Sequence, residues 1–221
     1  MSTLTTAPLA PLLERLFAEA DAARPQMSRA VAELPPGELT RLMQSKTEYL
    51  DFYARLKDLP LPVSRETGIL LYQLARGAGA RHIVEFGTSF GISTLHLAAA
   101  LRDNGGGRLV SCEFEPSKIE RARRNLAEGG LADLVEIREG DALRTLAADL
   151  PESIDLVLLD GAKSLYPAVL ALLEIRLRPG AFVIADNAEH SPEYLERVRS
   201  PAQGYLSTPF GGDVELSLRL G

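Results

Sequence analysis

The 221-residue sequence has no tryptophan, one cysteine and three histidines. With Cys112 alone, neither an intrachain disulfide nor a cysteine zinc cluster can form. No apolar run approaches the roughly 18–20 residues of a membrane span. Basic residues are in the minority, 24 against 30 acidic ones, for a net charge of −6. That balance argues against a nucleic-acid partner, which needs a basic face for phosphates. The opening MSTLTTAPLAP has neither the basic nor the apolar region of a signal peptide, so a cytoplasmic location is expected. Apolar residues make up 46% of the chain, enough for a full core in one domain with an appendage.

Residues 1–60 and 61–221 differ in pattern. In the first part, Leu12, Leu13, Leu16 and Phe17, then Leu39, Leu42, Met43, Tyr49 and Tyr53, recur at helical spacing on either side of Pro35-Pro36-Gly37. Two or three helices are expected, covering an acceptor pocket and contributing to a homodimer. Ser64 is a candidate N-cap for a helix over 65–78. From residue 81, apolar strand candidates (82–86, 109–114, 135–138, 154–160, 181–186) alternate with helical stretches (92–102, 116–128, 141–148, 164–177). Such alternation predicts an α/β fold: a Rossmann-like doubly wound sheet, mostly parallel, with helices on both faces. After a short helix at 192–199, runs at 204–208 and 214–220 flank Pro209-Phe210-Gly211-Gly212. They predict a hairpin that gives the sheet an antiparallel edge and seven strands in all.

The first strand runs into a glycine turn, IVEFGTSFGIS, residues 83–93. Gly87 and Gly91 permit close backbone approach, and the following helix start offers free N–H groups. Dinucleotides, phosphates and S-adenosylmethionine (SAM) are all held by such turns. A dinucleotide turn requires G-x-G-x-x-G, whereas this one reads E-x-G-x-x-x-G, and no Lys-Ser/Thr follows Gly91 to make a P-loop. Glu113 ends the second strand, where a carboxylate can accept both ribose hydroxyls. Asp141 follows the third strand and could accept from an adenine amino group; an N-cap is the competing reading.

The fourth and fifth strands end in Asp160-Gly161-Ala162-Lys163 and Asp186-Asn187. If these strands are neighbours, Asp160, Asp186 and Asn187 converge as three oxygen ligands. Such a hard donor set suits Mg²⁺ or Mn²⁺; three polar strand-end caps would be the structural alternative. Lys163 can face the same cleft, either as a solvated side chain or as a general base whose pKa a bound cation pushes down. His190, three residues past Asn187, is a second candidate base. His82 and His96 read as structural, and Cys112 as buried filling.

Together these motifs resemble class I SAM-dependent methyltransferases, specifically the cation-dependent O-methyltransferases of the catechol and caffeoyl-CoA type, over about residues 60–221. The resemblance implies that Glu85, Gly87 and Ser93 surround the methionine part of SAM, and that Val63 and Ser64 contact the cofactor. Glu113 would hold its ribose and Asp141 the adenine end. Asp160 would serve both cofactor and metal, with Asp186 and Asn187 completing the metal set and Lys163 as catalytic base. The implied reaction is methyl transfer to a hydroxyl of a small catechol-like or phenolic acceptor. The family's tryptophan before the lysine is Ala162 here. Its acidic residue near the chain's end has only Glu215 near it by count, and the short 187–204 loop speaks against a CoA thioester. Rival readings are a metal-independent methyltransferase, a non-catalytic SAM-binding protein and, against the glycine spacing, a nicotinamide oxidoreductase.

Overall fold

The architecture follows from how the apolar strands alternate their side chains. In the computed structural model, which describes residues 2–221, seven strands form one sheet in the order β3-β2-β1-β4-β5-β7-β6. They are β1 (His82–Phe86), β2 (Arg108–Glu113), β3 (Val135–Glu139), β4 (Ile154–Leu159), β5 (Leu177–Asp186), β6 (Tyr205–Phe210) and β7 (Val214–Arg219). The first five are parallel, and β7 pairs antiparallel to both β5 and β6. The switch point, where the order turns from β1 to β4, brings the carboxyl ends of β1, β2, β4 and β5 to one rim, the place where doubly wound sheets bind ligands.

Successive residues of a strand point to opposite faces, and the two cores divide accordingly. Ile83, Leu109, Leu156 and Ile184 meet one set of helices: α4 (Arg65–Gly77), α5 (Ile92–Asp103) and α6 (Pro116–Glu128). Val84, Val110, Val157 and Val183 meet the other: α7 (Ala142–Thr145), α8 (Tyr166–Leu173) and α9 (Pro192–Val198). Helix α4 starts where expected, with the Ser64 hydroxyl accepting from the Thr67 N–H at 3.0 Å. Strand β5 begins four residues earlier than the sequence pattern predicts. Pro179-Gly180 breaks the apolar run there, and the register shifts between Ile154 and Leu156 to accommodate it. The stretch predicted as one helix over 164–177 is a 3-10 turn, then α8, then a second 3-10 turn.

The N-terminal residues form α1 (Leu9–Ala32), α2 (Glu38–Gln44) and α3 (Tyr49–Ala54). The first half of α1 belongs to the main core: Leu9, Leu12, Leu13 and Leu16 are all buried against α5 and α6. Each leucine so buried contributes about 1.5–3 kcal/mol. Past Ala20 the helix has no buried residue, and it continues through Pro25. Its second half overhangs the rim, where Met27 joins a separate small cluster with Leu42 of α2 and Phe52 of α3. Among the described residues no helix is long and apolar enough to cross a membrane.

Candidate active site

The glycine turn is built first by the protein's own backbone. Gly87 has φ +100°, and a Cβ there would come within 2.5 Å of the Asp160 carbonyl oxygen. A Cβ on Gly161 would likewise strike the Phe86 ring at 2.3 Å. The ends of β1 and β4 therefore approach too closely for any side chain at either position, and Asp160 N–H donates to the Phe86 carbonyl at 2.7 Å. Beneath the turn, Glu85 is fully buried. Its carboxylate accepts from the hydroxyls of Ser93, Thr94 and Ser111, each at 2.6 Å. Burial nevertheless pushes its pKa up to about 7, although those hydroxyls act in the other direction. Glu85 lines neither of the two main cavities at the rim, and Ser93 lines only a small cleft beside Pro60–Pro62.

A narrow cavity of about 60 Å³ lies over the tips of β1, β2 and β4, lined by Gly87, Glu113, Asp141 and Asp160 among others. Glu113 is pinned there: Oε2 accepts from Ser89 N–H at 2.9 Å, and Oε1 from Phe114 and Glu115 N–H at 2.9 and 3.1 Å. A carboxylate offers about four acceptor sites, so with three taken this one keeps about one for a ligand hydroxyl, which fits one ribose hydroxyl of SAM. Asp141 satisfies both of its readings. It caps α7 by accepting from Leu143 N–H at 3.0 Å, and it faces the cavity.

A second cavity, of about 620 Å³, opens from Asp160 under the overhanging half of α1 and includes Val63, Ser64, Lys163, Asp186 and Asn187. Asp160 and Tyr53 border both spaces. Lys163 is 4% exposed; its Nζ donates to Asp160 Oδ1 at 3.0 Å and to the Tyr166 hydroxyl at 2.8 Å, with Asp186 Oδ2 4.0 Å away. Tyr166 in turn donates to the Asp186 carbonyl at 2.8 Å. Burial disfavours the ammonium, but the surrounding Tyr166, Asp160, Tyr53 and Asp186 outweigh it and hold Lys163 well above its ordinary pKa. With the protein's own groups alone, the direction is thus opposite to that expected beside a cation. Burial and the facing Asp160 carboxylate push Asp186 up to about 8, and burial also raises Asp160.

Two facing carboxylates of raised pKa, with Asn187 lining the same wall, offer oxygen donors of the kind that suits a divalent ion. Asn187 is held in the left-handed region at φ +48°, a conformation that Asn tolerates better than most residues. No group of three His, Cys, Asp or Glu that could hold a metal occurs among the described residues. His190 lies outside both cavities, near Glu189 at 3.5 Å. Glu215 is buried in an ion pair with Arg199 at 2.6 Å. The acidic side chain that reaches the chamber from the hairpin is Asp213, which the sequence reading did not single out. Lys118 was also missed: on α6, 4% exposed, it lines the narrow cavity, and burial lowers its pKa against the pull of Glu113. The sequence pattern gave only a helical stretch over 116–128 there.

Comparison with known proteins agrees with this geometry. A family model described as a methyltransferase domain matches residues 84–188. The chain belongs to the class I SAM-dependent O-methyltransferases. It is 32% identical to catechol O-methyltransferase B of Danio rerio over 180 residues, 78% of this chain and 67% of that one. It is 37% identical to a catechol O-methyltransferase of Mycobacterium tuberculosis over 131 residues, but this match spans only 59% of either protein. Among solved structures, the O-methyltransferase TomG of Streptomyces achromogenes, in complex with SAM, superposes with a TM-score of 0.66 at 32% identity. That alignment covers 83% of this chain and 95% of TomG.

Proposed function

We propose that the protein methylates a hydroxyl of a catechol-like acceptor with SAM, assisted by a divalent cation. The observation that carries this reading is the junction of the two cavities at Asp160, with the buried Lys163 held beside it. Gly87, Glu113 and Asp141 on the narrow side, with Val63 and Ser64 at the near end of the wide side, would hold the cofactor. Asp160, Asp186 and Asn187 on the wide side would hold Mg²⁺ or Mn²⁺. When bound, SAM supplies an electrophilic methyl group, and the cation acidifies the acceptor hydroxyl and neutralises the carboxylates that keep Lys163 charged.

The protein's own groups do the rest. Asp160 and Tyr166 fix Nζ of Lys163 in one place, where in this reading it takes the hydroxyl proton. Tyr49, Leu61, Phe86 and Leu165 line the narrow cavity and exclude water from the reacting atoms. The second half of α1, with α2 and α3, acts as lid over the acceptor, and a homodimer is the assembled form, which light scattering would check.

A second reading has an observation of its own: the Lys163 ammonium already sits between Asp160 and Asp186, so a metal-independent enzyme could use it as the resident cation. Turnover of a catechol panel with SAM, followed by mass spectrometry, tests both. The cation-assisted reading expects activity to collapse in excess chelator and to return with Mg²⁺. Undiminished turnover in chelator would establish the second reading, and no methylated product from any catechol or phenol would sink both.

A further inference from the structure

The wide cavity extends well past the end that Val63, Ser64 and the acidic floor would give to the cofactor's methionine part and the cation, on under α1, α2 and α3. Sites for drug-sized ligands run roughly 300–1,000 Å³, and this one is about 620 Å³. Its polar groups concentrate at one end, on Asp160, Lys163, Asp186, Asn187 and Asp213, while the roof is formed by Met27, Val31, Leu39, Met43 and Phe52. The two methionines give that roof an adaptable surface, since the thioether chain is flexible and polarizable.

Charge decides what kind of body can occupy this space. Apart from Lys163, the cations that line it are Arg24 and Arg65. Each is paired on the exposed rim, Arg24 with Asp21 at 3.0 Å and Arg65 with Glu14 at 3.2 Å, and Arg65 also lies over the Phe17 ring. Lys163 is committed to Asp160. Among the described residues the chamber therefore offers no unpaired cation to a phosphate or carboxylate, and a charged body would lose its hydration without a partner.

We propose that the acceptor is a bulky, uncharged catechol. Its diol ring meets the acidic floor, and an extended apolar substituent fills the space under α1, α2 and α3. This rests on reading the floor as a methyl-transfer site, and it adds the substrate class: neither a small hydrophilic catechol nor a CoA thioester.

The test uses the full chain with SAM and Mg²⁺ and a series of 4-alkylcatechols, methyl, butyl and octyl, with caffeoyl-CoA as the charged competitor. A fully buried methylene is worth up to about fourfold. The value of kcat/KM should therefore climb roughly twofold to fourfold per carbon until the chamber is full, with caffeoyl-CoA far below octylcatechol. Val31→Trp and Met43→Trp, each checked for folding by circular dichroism, should bring the octyl-to-methyl ratio down towards one. Calorimetric binding of the same series to the S-adenosylhomocysteine-loaded protein gives a readout independent of turnover.

Equal kcat/KM along the series, or a preference for caffeoyl-CoA, would overturn the inference and leave the methyltransferase reading intact. Chain-length-dependent binding without methylation of any catechol would support the apolar chamber and overturn the proposed reaction. Absence of both would overturn both.

Discussion

The rim of the sheet and the helical roof above it hold their side chains in different ways. At and beneath the rim the most buried groups are fixed by several partners: Glu113 by three backbone N–H groups, Lys163 by Asp160 and Tyr166, and Glu85 by three hydroxyls. In the roof the chamber-lining Met27, Leu39, Met43 and Phe52 belong to a small cluster of their own, centred on Leu42, Phe52 and Leu56, and border the wide cavity on the other side. Preorganised groups suit chemistry, which loses rate with small displacements. A loosely packed apolar wall suits recognition, because it can repack around different bodies. On the proposed reading the comparison separates what would carry the reaction from what would select its acceptor, and it divides α1 itself near Ala20.

Lys163→Met is the strongest way to break that division. Loss of a general base costs about 10²–10⁴ in rate, so turnover should fall by that factor. SAM affinity, read by calorimetry, should stay near that of the parent, because the narrow cavity does not include Lys163. If a roof substitution such as Val31→Trp abolished turnover of methylcatechol while Lys163→Met did not, the assignment of chemistry to the rim would fall. A second contrast lies within α1. Leu16 is 2% exposed in the main core, whereas Met27 packs only at the edge of the roof cluster. Leu16→Ala should cost about 2–5 kcal/mol, and Met27→Ala less than about 1 kcal/mol, both read from denaturant midpoints. Equal losses would mean that the whole helix is core.

Much of the rim was legible in the sequence because local signals coincide there. An apolar strand of limited length, an acid or glycine at its end and an amphipathic helix after it are all short-range features, and the sheet aligns them without further information. So β1 is found at its predicted bounds, β4 and β5 are neighbours, and Asp160, Lys163, Asp186 and Asn187 share one wall. What was not legible depends on contacts distant in sequence. Asp213 enters the chamber because β7 folds back against β5. Tyr53 borders both cavities because α3 settles over strand ends that lie from about 30 to over 100 residues further along the chain. Gly87 was read as making room for a ligand, and in the structure it first makes room for the Asp160 backbone. Counting along the chain cannot anticipate these placements.

The finest test concerns Glu85, the group that joins the glycine turn to α5 and β2 beneath the rim. Its carboxyl is held at about 7 in the folded protein, chiefly by burial, against 4.5 for an unperturbed glutamate. The folded state therefore binds this proton more tightly than the unfolded chain does. The associated stability is fully present below about pH 4.5 and is lost as pH rises through about 7. The difference corresponds to about 3 kcal/mol. Glu85→Gln keeps the shape and removes the titration, so the stability gap between variant and parent, from chemical denaturation at a series of pH values, should shift in the variant's favour by that order between pH 4.5 and 8. A gap that stays flat would mean that Ser93, Thr94 and Ser111 keep the carboxylate ionised. The turn would then rest on a buried charge rather than on a shared proton.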